Sequence, residues 1–279
     1  PESANIIVFD GNFHGRTTTI ISFSNDSDAR ENFGPYTPGF ISVPYNNIEA
    51  LQSAVSKNSN IAGVLIEPIQ GEAGVMVPDD GFLTNVKKIC VDNNILLIAD
   101  EIQTGIARTG KLLACDYESV KADILILGKA LSGGILPVSA VLADDDVMLC
   151  IKPGEHGSTY GGNPVACQVA MAALEVVKNE DLSNNAYELG CLFREDLNQF
   201  IESNDLVTQV RGKGLLNAIL INDSPESSTA WDICMKLKEN GLLAKPTHGN
   251  IIRLAPPLVI TKTQLLECLN ILKSTIINF

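Results

Sequence analysis

Short apolar runs alternate with amphipathic stretches over the first half of the chain. The apolar runs have the length and β-branched content of buried strands, and they lie at 6–9, 61–66, 95–99 and 124–127, with 138–142 as a further candidate. Between them, apolar residues recur at helical spacing over 48–55 and 82–89, and the pair Asp79 and Asp80 is expected to cap the second helix. Strands that are apolar on both faces and alternate with helices predict a mostly parallel sheet covered by helices.

The pattern changes after Pro164. Helices are predicted first, followed by strands around a turn and then by two further helices with a strand between them. The predicted elements are helices at 165–177 and 182–200, strands at 206–210 and 215–221 around a turn at 211–214, a helix near 231–237 that Gly241 ends, a strand at 251–254, and a last helix capped by Thr261 and Gln264. We therefore predict a large domain over residues 1–172 and a smaller α+β domain over residues 173–279.

Charged residues stand at the carboxyl ends of three predicted strands, which is where ligands bind in open parallel sheets. Glu67, Asp100 and Lys129 occupy these positions. We expect Lys129 to lie in a largely apolar setting, where loss of hydration favours the neutral amine that a Schiff-base lysine needs. A strand-end carboxylate and a strand-end lysine are the two protein groups that pyridoxal phosphate (PLP) requires. A buried ion pair, or two solvated strand ends, explains the spacing equally well.

A glycine-rich segment, residues 154–164, lies just before the first long helix of the second half. Small residues let backbone amides approach an anion, hydroxyl groups add donors, and the start of a helix favours negative charge. The segment therefore suits a phosphate group. The alternative interpretation is a glycine-rich loop between domains.

Two segments resemble parts of a P-loop ATPase. Residues 96–101 resemble its acidic strand end, and residues 105–112 nearly match its phosphate loop. Leu112 stands where a hydroxyl would have to reach magnesium, and no strand of its own leads into the glycine loop. Both departures argue against a nucleotide-binding module, which we keep only as the alternative from another functional class.

Composition narrows the possible partners of the chain. The 279 residues are 45% hydrophobic and carry a net charge of -13, which excludes a disordered chain and disfavours nucleic acid and anionic membranes as partners. The most membrane-like stretch, 124–143, contains a lysine, two glycines and a proline, so we predict strands there and no membrane span. The seven scattered cysteines indicate a reducing compartment, and because His and Cys never cluster we predict no metal site.

Four motifs together resemble the class III aminotransferases over essentially the whole chain. They read EPIQGEAG at 67–74, DEIQTG at 100–105, GKALSGG at 128–134 and GSTYGGNP at 157–164. The segments GLLAKPTHG at 241–249 and IIRLAPP at 251–257 favour the members of that family that act on ornithine.

The resemblance implies an α/β fold of the PLP-dependent transferase fold-type I, a homodimer, and a PLP group linked to Lys129. Asp100 is then expected to pair with the pyridine nitrogen, Gln103 to bind the phenolic oxygen, and Phe13 to stack on the ring. Ser158 and Thr159 are expected to reach the cofactor phosphate of the other subunit.

The resemblance also implies the substrates. The δ-amino group of L-ornithine would pass to 2-oxoglutarate, giving glutamate 5-semialdehyde and glutamate. Arg16 is expected to hold the α-carboxylate of ornithine, with Glu67 also at the substrate site. Glu72 would pair with Arg253 and release it when 2-oxoglutarate binds, although a purely structural salt bridge is an alternative.

Other interpretations remain open at this point. Within the family, the chain could act on acetylornithine or 4-aminobutyrate. A catalytically inactive dimerisation partner is a further possibility, which the presence of Lys129, Asp100 and Gln103 together argues against. Family members carry a long segment before the point that matches the start of this chain, including a phosphate-binding cup, so we expect the 279 residues alone to lack full activity. We expect a cytoplasmic protein, with the mitochondrial matrix as an alternative.

Overall fold

A computed structural model describes residues 3–279, which divide into two compact units. The first comprises Pro1–Pro68, Pro78–Gly105 and Leu113–Glu175, and the second comprises Ile69–Val77, Ile106–Leu112 and Val176–Phe279. The longest segment of the second unit begins at Val176, three residues after the predicted start at residue 173. Two short internal segments that the prediction placed in the first domain also belong to the second unit.

The first unit contains a six-stranded sheet in the order β2-β1-β3-β4-β5-β6. Strands β1 to β5 are parallel and β6 is antiparallel to β5. The strands are β1 Asn5–Phe9, β2 Phe40–Val43, β3 Ile61–Ile66, β4 Leu96–Asp100, β5 Ile124–Leu127 and β6 Ala140–Ala143. The predicted mostly parallel sheet is therefore confirmed. Strand β2 was not predicted, because its four residues include Ser42 and lie at the sheet edge, where the apolar signal is weak.

Five helices and two short 3-10 helices lie within the described part of this unit, and a sixth helix, α6, begins in it and continues past Glu175 into the second unit. The helices are α1 Thr18–Ile21, α2 Ser27–Arg30, α3 Ile48–Lys57, α4 Phe82–Asp92, α5 Asp145–Met148 and α6 Pro164–Asn179, and the 3-10 helices are Ala114–Tyr117 and Lys129–Ser132. Helix α4 begins after Gly81, whose φ of 85° places it in the left-handed region, and no side chain caps this helix. The expected cap by Asp79 and Asp80 is therefore wrong, because the glycine turn directs the chain into the helix after both residues.

Apolar side chains from α3, α4 and the sheet form the main core of the first unit. Phe9 packs edge-on against Tyr45 and Phe82, with ring centroids 5.7 and 5.9 Å apart. Such edge-to-face pairs add stabilisation beyond the burial of apolar area. This aromatic cluster lies at the end of β1 and fixes the point where the chain leaves the sheet.

The second unit is an antiparallel sheet in the order β7-β8-β10-β9, with helices packed against it. The strands are β7 Val207–Lys213, β8 Leu216–Ile221, β9 Lys245–Thr247 and β10 Ile251–Leu254, and the helices are α7 Leu182–Ile201, α8 Thr229–Glu239 and α9 Lys262–Ile277. The predicted capping box at Thr261 and Gln264 is present at the start of α9. The predicted turn at 211–214 is wrong in extent, because β7 pairs with β8 as far as Lys213.

The segment Ile69–Val77 is held in the second unit by apolar packing and by hydrogen bonds. Ile69 and Val75 are buried against Leu216 and Ala218 of β8. The Arg211 Nε donates to the carbonyl oxygen of Gly74 at 2.9 Å. Partners separated by more than a hundred residues hold this loop, so no local pattern predicts its place.

Gly190 of α7 lies against the backbone at Gly214, and a Cβ atom at position 190 would lie 1.9 Å from the Gly214 carbonyl oxygen. We expect Gly190→Ala to destabilise the protein by about 3 kcal/mol, at or above the upper end of typical overpacking costs. Helix propensity alone predicts the opposite, a gain of roughly 1 kcal/mol.

Urea unfolding distinguishes the two outcomes for Gly190→Ala. Asn184→Ala, at an exposed position of the same helix, is the matched control and should change the free energy of unfolding by no more than about 0.5 kcal/mol. An unchanged or higher stability for Gly190→Ala would contradict the close packing of α7 on this turn.

Within residues 3–279, no helix has both the length and the apolar character that crossing a bilayer requires.

Candidate active site

Four neighbouring parallel strands of the first unit lead into candidate site residues at one edge of the sheet. Strand β1 leads into Phe13 and His14, β3 into Glu67, β4 ends at Asp100, and β5 leads into Lys129. Because the carboxyl ends of parallel strands meet at the same edge, these residues converge. They line a cavity of about 220 Å³ whose residues are Phe13, His14, Gly15, Glu67, Asp100, Ile102, Gln103 and Lys129.

Asp100 is buried in this cavity wall and accepts a hydrogen bond on each carboxylate oxygen. Its Oδ1 accepts from the backbone N–H of Ile102 at 3.0 Å, and its Oδ2 lies 2.7 Å from His14 Nδ1. Hydrogen bonds to the charged form stabilise a buried carboxylate. His14 was not among the predicted site residues, because its position in a loop after β1 gives no spacing signal that points to β4.

The loop that carries Phe13 and His14 is anchored at several points. Asn12 is buried and donates from Nδ2 to the carbonyl oxygen of Phe9 at 2.6 Å. The backbone N–H of Phe13 donates to Glu67 Oε2 at 2.9 Å. Tyr45 donates its hydroxyl to the Glu67 carbonyl oxygen at 3.0 Å, and burial followed by the Glu67 charge raises the pKa of Tyr45 well above its usual range. The tyrosine therefore remains a donor, and Glu67 orients the Phe13 backbone.

Lys129 follows Gly128 at the end of β5 and opens a 3-10 helix with a φ of 40°. This left-handed conformation is rare for residues other than glycine, and such outliers cluster at functional sites. Lys129 is exposed. The expected apolar, desolvated setting is therefore wrong for this chain by itself, since the apolar character of β5 describes the faces of the strand and not the space beyond its end.

Of the remaining site residues predicted in the first unit, one lines this cavity and three are exposed. Gln103 lines it. Arg16 is exposed, with its guanidinium carbon 5.6 Å from the centre of the Phe13 ring, a cation–π contact. Ser158 and Thr159 are exposed in the loop before α6 and are not among the residues that line the cavity. Their expected reach to another subunit stays a prediction.

Glu72 and Arg253 form the expected ion pair within the second unit. Arg253 Nη1 lies 2.7 Å from Glu72 Oε1, and both side chains are half-buried. Thr247 Oγ1 donates to the Glu72 carbonyl oxygen at 2.8 Å, which ties the loop to β9 beside the pair. The pairing is present, and its role in exchanging substrates stays a prediction.

The side chains of the adjacent residues Asp100 and Glu101 lie in different environments. Glu101 is fully buried and accepts hydrogen bonds from Thr104 and from the backbone N–H groups of Ala114 and Cys115, the latter two at 3.0 and 2.8 Å. Burial raises the pKa of Glu101 above its usual value, although these hydrogen bonds oppose the shift. Glu101 therefore holds the 3-10 helix after the strand, while Asp100 faces the cavity.

We expect Glu101→Gln to destabilise the protein, because the amide cannot accept from both backbone donors and leaves one buried N–H unpaired, at a cost of about 1–3 kcal/mol. Because the pKa of Glu101 is raised in the folded state, its contribution to the free energy of unfolding is complete below its unfolded-state pKa. That contribution is lost as the pH rises through its folded-state pKa. The difference between wild type and variant should therefore be larger at about pH 4 than at about pH 8. Denaturant unfolding at both values measures it, and a difference that grows with pH would contradict the assignment.

The segment resembling a phosphate loop does not form one. Ala107 donates its backbone N–H to the Leu112 carbonyl oxygen at 3.2 Å, and Leu215 donates to the Arg108 carbonyl oxygen at 3.1 Å. The segment is followed by the 3-10 helix Ala114–Tyr117, so it lacks the α-helix N-terminus that holds phosphate in P-loop proteins. Among residues 3–279, no cluster of three or more His, Cys, Asp or Glu side chains is arranged to hold a metal ion.

The sequence profile described as "Aminotransferase class-III" matches residues 1–276. The chain belongs to the class III aminotransferase family. The motifs at 67–74, 100–105 and 128–134 lie within the matched residues. In the structure, they supply Glu67, Asp100 and Lys129 to a single cavity.

Two curated relatives from animals are closely similar. The chain is 58% identical over 275 residues to "Ornithine aminotransferase, mitochondrial" of Drosophila melanogaster, covering 99% of this chain and 62% of that protein. It is 55% identical over 276 residues to the protein of the same name from Rattus norvegicus, again covering 99% of this chain and 62% of that protein. The chain therefore spans about 62% of the length of the curated relatives it matches.

Solved structures of the family have the same fold. An ornithine aminotransferase from Toxoplasma gondii, described with partial occupancy of PLP at its active site, is 46% identical with a TM-score of 0.95, covering 100% of this chain and 65% of that one. An acetylornithine aminotransferase from Elizabethkingia anophelis is 60% identical with a TM-score of 0.88, covering 99% of this chain and 66% of that one. These similarities confirm the predicted fold class, fold-type I of the PLP-dependent transferases.

Proposed function

We propose that this chain carries the cofactor site of a PLP-dependent aminotransferase that moves the δ-amino group of L-ornithine to 2-oxoglutarate. The observation that carries the proposal is the single cavity formed by an aromatic ring, a buried carboxylate, an amide and a lysine, in the order Phe13, Asp100, Gln103 and Lys129. The curated relatives named ornithine aminotransferase support the choice of substrate.

The chemistry of the cavity fits PLP. Its volume of about 220 Å³ is below the roughly 300–1,000 Å³ of sites for drug-sized ligands and suits one substituted ring. Phe13 offers an aromatic face, Asp100 a buried carboxylate for a ring nitrogen, and Gln103 a side-chain amide for a ring oxygen. Lys129 offers the amine for covalent attachment. When bound, PLP withdraws electrons from the carbon next to a linked amine, which makes a proton on that carbon removable.

Three residues of the chain have separate roles in the proposed reaction. Asp100, whose two oxygens are fixed by the Ile102 N–H and His14, would hold a proton on the ring nitrogen of bound PLP. The Lys129 amine would hold PLP and, when free, would take a proton from the substrate carbon and return it as a general acid. Glu67 accepts a hydrogen bond from the backbone N–H of Phe13 and so holds in place the residue whose ring would stack on PLP.

Positively charged side chains favour the binding of substrate carboxylates, and Arg16 and Arg253 are our candidates for this role. We propose that Arg16 binds the α-carboxylate of ornithine, since a guanidinium group matches a carboxylate in two-point geometry. We propose that Glu72 neutralises Arg253 while ornithine reacts and releases it for a carboxylate of 2-oxoglutarate. The 2.7 Å ion pair supports the first half of this exchange.

An assay of amino donors on the natural full-length protein tests the proposal. L-ornithine with 2-oxoglutarate should give an aldehyde product and glutamate, with a higher kcat/KM than N-acetylornithine or 4-aminobutyrate. The similarity to the Elizabethkingia anophelis enzyme makes N-acetylornithine the second candidate donor. A preference for N-acetylornithine would overturn the substrate but keep the reaction, whereas no transamination with any of the three donors would overturn the function.

Homodimerisation is part of the proposal, with Ser158 and Thr159 contributed to the cofactor phosphate of the other subunit. Their exposure supports it, as does the exposure of apolar residues nearby, among them Tyr160 and Val165. Mixing inactive Lys129→Ala subunits with inactive Thr159→Val subunits should restore activity, because one site of each hybrid dimer receives neither change. No recovery in a mixture shown to contain hybrid dimers would contradict the sharing of residues.

We propose a cytoplasmic or mitochondrial location. The Drosophila melanogaster and Rattus norvegicus relatives are named as mitochondrial proteins, which favours the second. Imaging of the tagged full-length protein in its own cells decides between the two.

A further inference from the structure

One face of the sheet in the second unit meets the loop that carries Glu72. Thr247 of β9 pairs with Ile251 of β10, and Arg253 lies two residues further along β10. Residues directly opposite each other on paired strands share a face, as do residues two apart on one strand. The Thr247, Ile251 and Arg253 side chains therefore stand on the same face and keep a fixed spacing.

Each of these side chains contacts the tip of that loop. Thr247 Oγ1 donates to the Glu72 carbonyl oxygen at 2.8 Å, and Arg253 Nη1 lies 2.7 Å from Glu72 Oε1. The Ile251 side chain lies so close to Gly74 that a Cβ atom at position 74 would be 2.6 Å from its Cδ1 atom. Glu72 is thus held twice, through its backbone by β9 and through its carboxylate by β10.

We propose that Thr247 is a positioning residue for the Glu72–Arg253 pair: by fixing the Glu72 backbone, its hydroxyl group raises the fraction of molecules in which the carboxylate covers the guanidinium group. The inference rests on the proposed function, in which the covered Arg253 suits ornithine and the uncovered one binds a carboxylate of 2-oxoglutarate. A backbone already fixed in its paired conformation loses less entropy when the side chain pairs. Thr247 therefore lowers the affinity of the protein for dicarboxylates.

A purely structural hydrogen bond is the competing explanation, because Thr247 is buried and its hydroxyl group satisfies a carbonyl oxygen. A loss of stability in Thr247→Val fits both explanations, since the valine leaves that oxygen without this donor. The two explanations differ in the affinity for dicarboxylates. A structural role predicts an unchanged or weaker affinity in the variant, whereas positioning predicts a stronger one.

Glutarate, a dicarboxylate with neither an amino nor a keto group to react, is the probe. In calorimetric titrations of the full-length holoenzyme, Thr247→Val should bind glutarate about three- to fivefold more tightly than wild type, the scale of one neutral hydrogen bond. The kcat/KM for 2-oxoglutarate should rise by the same factor, while the kcat/KM for ornithine should not rise. Thr247→Ser keeps the donor and should match wild type.

Thr208→Val is the matched control. Thr208 is an exposed residue of the same sheet, and its hydroxyl group also donates to a backbone carbonyl oxygen, that of Leu220 at 3.3 Å. This variant should leave the glutarate affinity and both kcat/KM values unchanged. Thr247→Ala removes the donor without placing a methyl group against the Glu72 carbonyl oxygen, and it should reproduce the tighter binding even if Thr247→Val does not fold.

A double-mutant cycle with Glu72→Ala shows whether Thr247 acts through the ion pair. Glu72→Ala removes the carboxylate but keeps the carbonyl oxygen that Thr247 binds. In that background Thr247→Val should leave the glutarate affinity unchanged, because no pair remains to be weakened. A further gain in affinity there, or no gain from either Thr247 variant when Glu72 is present, would overturn the positioning role.

Failure of the underlying proposals gives different results. A wild-type protein that transaminates none of the three amino donors would overturn the proposed function. A glutarate affinity in Glu72→Ala equal to that of wild type would show that the pair does not control access to Arg253, and it would overturn this inference as well.

Discussion

Replacing Lys129 by alanine is expected to lower transamination about ten-thousand-fold or more, because it removes both the group that holds PLP and the base that moves the proton. Borohydride reduction of the wild-type holoenzyme should attach the cofactor to the peptide that contains Lys129, and the variant should show no adduct. Steady-state rates and peptide mapping measure both effects. An adduct at another lysine would end the assignment.

Stability measurements on the same position separate catalysis from folding. Lys129 is exposed, so alanine should change the free energy of unfolding by no more than about 0.5 kcal/mol. Glycine should be more stable than alanine here by roughly 1 kcal/mol, since the φ of 40° strains any residue that has a Cβ atom. Lys121→Ala, which removes another exposed lysine of the first unit, should leave activity within about twofold of wild type.

Replacing Asp100 by asparagine is expected to lower the rate about a thousand-fold, the scale of losing one preorganised charge interaction at a reacting group. The shape of the side chain is kept, but the neutral amide cannot hold the proton on a ring nitrogen. Borohydride should still label Lys129 in this variant, because covalent attachment uses the lysine alone.

Asp100→Glu is the control that keeps the negative charge but changes the position of the carboxylate. It keeps the negative charge but moves it by one methylene, away from the Ile102 N–H and His14, and an intermediate rate is expected. A rate for Asp100→Asn within tenfold of wild type would show that the carboxylate is structural.

The cofactor residues in the first unit could be predicted because a general rule connects sequence to place. Strands that are apolar on both faces end at a common edge, so Glu67, Asp100 and Lys129 were expected to approach one another without any knowledge of the loops. The surroundings of Lys129 could not be predicted, because the local pattern says nothing of what covers a strand end.

His14 was missed for a different physical reason. Its contact with Asp100 depends on the path of a loop that Asn12 and Glu67 hold in place. The Glu67 carboxylate accepts from the backbone N–H of Phe13, which is 54 residues away in the sequence. Contacts of that kind leave no periodicity in the sequence. The edge strand β2 was missed in the same way, since its position follows from pairing with β1 and not from a strong apolar pattern of its own.

The chain passes between the two units at five points, after residues 68, 77, 105, 112 and 175. A single proteolytic cut near residue 175 therefore cannot release the second unit whole. A fragment limited to 176–279 would lose Ile69 and Val75 and leave the apolar side chains of Leu216 and Ala218 facing water, a predicted cause of aggregation. Independent expression of this unit requires that both internal segments, 69–77 and 106–112, be supplied as separate peptides or joined by new linkers.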